Sequence, residues 1–131
     1  MTETYNPTPY DGMTTDNDHH EPTMSPDGTP LGTRTIYEFL WTEDYTWAVL
    51  KVVELQQSTA THAKGLYIMT DSGCSCGCPF EYYDGLDEAT GPLTRSQAIE
   101  ECTILAKHGY SDNPDREMEA FIDRLDALGI K

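Results

Sequence analysis

With 131 residues, of which 37% are hydrophobic, the chain has room for one small domain with one modest core. Its 23 acidic against 8 basic residues give a formal charge of -15, which argues against direct nucleic-acid binding, since a grip on phosphates comes from Lys and Arg. The same charge favours repulsion from anionic membranes and attraction to basic partner surfaces. The first residues lack the basic and apolar regions of a secretory signal, and no apolar run reaches the ~20 residues that span a bilayer, so a cytoplasmic protein without membrane association is expected.

Residues 1–33 are Thr, Asp, Asn, Pro and Gly-rich, with no Lys or Arg, and predict a disordered acidic arm ahead of a single domain at 34–131. Asp16, Asp18, His19, His20 and Glu21 read as a polar tail rather than a cation site. Three β-rich runs follow, at 35–41, 46–56 and 65–70. The second is apolar on both parities from Trp47 to Val53, as a central strand buried on both faces would be. Short polar breaks between the runs predict an α+β fold with a three-stranded antiparallel meander.

Residues 82–91 are acidic and read as irregular, with Tyr82 and Tyr83 as possible anchors. Thr94 and Gln97 form a capping box at the start of a helix to about His108, with Ala98, Ile99, Cys102, Leu105 and Ala106 on its core stripe and Gly109 as its stop. Asn113-Pro114 opens a second helix, with Met118, Phe121, Ile122, Leu125 and Leu128 inward and Gly129 as its stop. Both helices are expected to pack on the sheet.

Between sheet and helices lies Asp71-Ser72-Gly73-Cys74-Ser75-Cys76-Gly77-Cys78-Pro79-Phe80-Glu81, with three of the four cysteines. Thiolates this close suit Zn²⁺, which takes four ligands in a tetrahedron. Cys74, Cys76 and Cys78 would supply three, and Cys102, His62, His108 or Glu81 the fourth. The paired C-x2-C spacing of familiar zinc sites is missing, and Cys102 on its apolar stripe also reads as a small packing residue. A thiol redox role is disfavoured by Asp71, Glu81 and Asp84, which would hold thiol pKa values up. The third reading is conformational: Gly73 and Gly77 allow unusual backbone angles, Pro79 fixes the exit and Phe80 plugs the core. No phosphate cradle or HExxH motif points to an enzyme.

From Trp47 to Tyr83 the sequence resembles a group of small acidic proteins encoded by actinobacteriophages. They share a β-rich segment with Trp followed by a loop of the type Asp-Ser-Gly-Cys-Ser-Cys-x-x-Pro-Phe-Glu. The match carries Asp71, Ser72, Gly73, Cys74, Cys76, Pro79, Phe80 and Glu81, with Cys78 as an addition. The resemblance implies a phage origin and expression in the cytoplasm of an infected bacterial host, and brings no activity with it. The expected function is non-enzymatic binding of a bacterial host protein, with Asp71, Phe80 and Glu81 in the interaction loop. The alternatives are a zinc module on Cys74, Cys76, Cys78 and Cys102, a thiol redox protein, and an acidic mimic of DNA.

Overall fold

The computed structural model describes residues 23–75 and 77–131. Strands β1 (Thr33–Glu43), β2 (Thr46–Leu55), β3 (Gly65–Cys74) and β4 (Thr90–Leu93) form one antiparallel sheet in the order β1-β2-β3-β4. Helices α1 (Arg95–Leu105) and α2 (Pro114–Ala127) follow, joined by a wide turn over Ala106–Tyr110 that closes at Gly109, φ +113. Among the described residues no helix is long and apolar enough to cross a membrane.

The sheet has four strands where the sequence predicts three. The fourth is Thr90-Gly91-Pro92-Leu93, two of whose residues discourage a strand. Gly91 is nevertheless required there, because a Cβ would lie 2.6 Å from the Tyr67 ring and 2.7 Å from the Leu66 carbonyl. The strand β3 also runs further than its apolar stretch. It continues through Asp71, Ser72, Gly73 and Cys74, which pair with Val49, Ala48, Trp47 and Thr46, so the first part of the cysteine loop is strand.

Central strand β2 divides its side chains between two cores. Leu50 and Val52 face the helices, with Ile36, Phe39, Leu66, Ile68, Ala98, Cys102, Ala106, Met118, Phe121 and Leu125. Complete burial of a side chain such as Phe121 contributes about 1.5–3 kcal/mol. Val49, Val53 and Leu55 face the other way, onto Tyr67, Met69, Phe80 and Leu86. Among the described residues neither α1 nor α2 covers this second face. Its cover is built from the loop after β3, the single helical turn Gly85–Glu88 and residues 23–30.

Residues 23–33, assigned by composition to a disordered arm, contact the sheet and its second core. Met24 bridges Pro30, Thr29 is buried, and Met24 packs on the second core. The remainder of the predicted arm, 1–22, lies outside the described residues.

The first edge of the sheet is shielded by α2. Ile36 forms a bulge in β1, and its carbonyl accepts from Arg124 Nε at 3.3 Å. Glu117 accepts from the Leu40 amide at 3.4 Å, from the Tyr37 hydroxyl at 2.7 Å and from Ser111 Oγ at 2.9 Å. A long edge with such side chains over it is less open to strand addition. Burial and the hydrogen bond to Glu117 push the Tyr37 hydroxyl up to about 12.

Candidate functional site: the cysteine loop and the end of the sheet

Strand pairing fixes where the cysteine loop starts. Cys74 lies opposite Thr46, beside the two-residue turn Asp44-Tyr45 that joins β1 to β2. Trp47 then locks the corner. Its indole donates from Nε1 to the Cys74 carbonyl at 2.8 Å, and the Gly77 amide donates to the same carbonyl at 3.0 Å. Gly73 is needed because a Cβ there would lie 2.7 Å from Trp47 Cζ2.

Asp71 closes the loop from the strand side. One carboxylate oxygen accepts from the Ser72 amide at 2.9 Å and the other from the Phe80 amide at 2.7 Å. That second bond joins the two ends of the loop across nine positions. Glu81 Oε1 accepts from the Cys78 amide at 3.3 Å, tightening the far side. Phe80 sits in the left-handed region, φ +61, with its ring buried in the second core against Tyr83 at 5.1 Å between centroids. A non-glycine residue held at positive φ is strained, and here burial of the ring offsets the strain.

Beneath this loop lies a buried lysine. Lys51 projects from β2 onto the second face, and its ammonium stands 5.2 Å from the Phe80 ring centroid. It donates to the Gly28 carbonyl at 3.2 Å and reaches Glu38 Oε2 at 3.5 Å on the neighbouring strand. A buried charge is stable only when it is paired and hydrogen-bonded, and residues 25–30 supply part of that environment. Asp27 organises them, accepting from Ser25 Oγ and, at 2.6 Å, from Thr29 Oγ1. These hydroxyl bonds, Ser25 first, hold the Asp27 carboxyl down at about 2. Between this turn and Cys78, Pro79, Phe80, Glu81 and Tyr83 runs a groove of about 560 Å³.

The residues singled out as metal ligands are not gathered. Cys74 and Cys78 are exposed at the end of the sheet, while Cys102 is buried on the helix side, across the sheet from the groove that Cys78 lines. Cys76 lies outside the described residues. Burial pushes the Cys102 thiol up to about 12, so it packs as a neutral side chain. His62 pairs with Asp87 at 2.9 Å and stacks edge-on to Tyr67, seven strand residues or roughly 23 Å from Cys74. His108 is on the turn that follows α1. Among the described residues no three His, Cys, Asp or Glu side chains converge as a metal site would require. Of the predicted interaction residues, Phe80 is buried and Asp71 is taken up by backbone amides, whereas Glu81 is exposed.

Of the two tyrosines read as possible anchors, Tyr83 packs on the second core whereas Tyr82 is exposed, and Tyr45 was missed by sequence reasoning. Tyr45, on the β1–β2 turn, is 77% exposed, and Tyr82, just past the loop, is 90% exposed. Glu43 and Asp44 flank the first, and Glu81 and Asp84 the second, all of them exposed. The signal available was an aromatic residue set among turn and acidic residues, outside every apolar period.

A family described as a domain of unknown function (DUF7574) matches residues 23–128. No curated protein and no solved structure matches the chain. The match includes the turn over residues 23–30.

Proposed function

The chain belongs to the DUF7574 family, and because membership brings no activity with it, we propose a function from the surface: non-enzymatic binding of a basic partner protein through the exposed Tyr45 and Tyr82. In the setting implied by the resemblance to actinobacteriophage proteins, the partner is a protein of the bacterial host. The observation that carries this reading is the pair of large aromatics left 77% and 90% exposed beside carboxylates. Tyrosine offers a large, stiff, amphipathic contact and is enriched where interfaces concentrate their energy. A net charge of -15 steers such a surface toward cationic partners and away from acidic ones.

The scaffold beneath supports the reading. Asp71, Trp47 and Phe80 fix the loop, so little conformational freedom is lost on docking. A photo-crosslinking amino acid placed at position 45, at 82 and, as a control, at Glu119 on α2 tests the assignment in host extract. One and the same host protein captured from 45 and 82 but not from 119 is the expected result. Equal capture from all three positions, or from 119 alone, contradicts it.

A further inference from the structure

A second groove, of about 520 Å³, opens at the opposite end of the sheet, where β2 ends and β3 begins. It is lined by Arg34, Lys64, Arg95 and Lys131, four of the chain's 8 basic residues, and Glu54 is the one acidic residue in its wall. Arg34 is paired to Glu54 at 2.7 Å, and Arg95 to Asp126 at 2.8 Å and to the Ile130 carbonyl at 2.8 Å. Lys64 and Lys131 make no ion pair among the described residues. The floor is apolar, from Leu66, Leu93 and Leu128. This cationic, apolar-floored groove stands out on a protein that is otherwise strongly acidic.

We propose that the groove is the intramolecular docking site of residues 1–22. That segment carries Glu3, Asp11, Asp16, Asp18 and Glu21 with no Lys or Arg, and also Tyr5, Tyr10 and Met13. Its charge therefore complements the rim, and its aromatic and Met side chains complement the floor. The segment joins the described chain at Thr23, which lines the groove beneath the cysteine loop. The Thr23 carbonyl accepts from the Leu31 amide at 3.1 Å, and Arg34 on the rim is three residues beyond Leu31. Twenty-two residues reach up to ~70 Å when extended, so the tether does not limit docking. Tethering also gives an effective concentration in the millimolar range, enough to populate a weak contact. The rest of the surface repels the segment, since the chain without residues 1–22 still carries 18 acidic against 8 basic side chains.

Carbodiimide cross-linking of the full chain at low salt, read by mass spectrometry of the monomer band, tests the proposal. Carboxylates of residues 1–22 should couple to Lys64 and Lys131 about tenfold more than to the exposed Lys107, the preference two or three exposed ion pairs give. That preference should vanish at about 1 M NaCl, where screening is short-ranged. Equal coupling to Lys107, no coupling at low salt, or links confined to a dimer band would overturn it. A second measurement does not depend on lysine reactivity. Neutralising Asp11, Asp16, Asp18 and Glu21 to their amides should shift the amide resonances of Gly65, Leu66 and Thr94, and unchanged resonances there would also overturn the assignment.

Discussion

Replacing Phe80 by alanine removes the ring that closes the second face of the sheet. The ring is 4% exposed and packs with Val49, Val53 and Met69, with Tyr83 edge-on at 5.1 Å and the Lys51 ammonium 5.2 Å from its centroid. A buried Phe cut back to Ala costs about 3–5 kcal/mol, and the lost cation–π contact adds roughly 0.5–2 kcal/mol. Against a total stability of about 5–15 kcal/mol this is a large fraction. The backbone supplies a sharper discriminant. Phe80 sits at φ +61, which Gly adopts freely and Ala does not, so Phe80→Gly should be more stable than Phe80→Ala by about 1 kcal/mol. Urea unfolding followed by Trp fluorescence measures both variants. A Phe80→Ala cost below about 1 kcal/mol, or a glycine variant less stable than the alanine one, would refute the plug.

Three further outcomes are expected. Gly73→Ala drives a methyl against Trp47 and should cost about 1–3 kcal/mol, with part of that recovered by adding Trp47→Leu, as a double-mutant cycle by urea unfolding would read. Asp71→Ala leaves the Ser72 and Phe80 amides without their acceptor, so it should cost about 1–3 kcal/mol and speed hydrogen exchange at Phe80 while leaving exchange in α1 unchanged. Burial raises the Cys102 pKa from 9.0 to about 12, so its contribution is complete below pH 9 and is lost as pH rises toward 12; Cys102→Ala should flatten the fall in melting temperature over that window.

Much of the architecture was legible. The central position of β2 followed from apolar residues on both parities, and the capping box at Thr94 and the Asn113-Pro114 start both lie where the helices begin. Strand β4 was hidden, because Gly91 and Pro92 are turn residues and its place depends on a close approach to Tyr67. Residues 23–33 were hidden for a different reason. They are held through backbone carbonyls on Lys51 and hydroxyl bonds to Asp27, which leave no apolar period to read. Lys51 itself looked like a polar interruption of a strand, yet it is buried beneath the turn. The predicted plug by Phe80 matches its burial, but the unusual backbone angle expected of Gly73 does not occur: Gly73 is ordinary strand with no positive φ, and it is needed for space beside Trp47.

The most direct test of the binding assignment is a calorimetric titration of the host protein captured from positions 45 and 82 into wild-type protein and into the Tyr45→Ala, Tyr82→Ala double variant. Both side chains are exposed, so the melting temperature should not change. If they are the centre of the interface, Kd should rise at least about 30-fold, the effect of losing ~2 kcal/mol of contact. An unchanged Kd with an unchanged melting temperature would contradict the assignment and remove the two tyrosines as the binding surface.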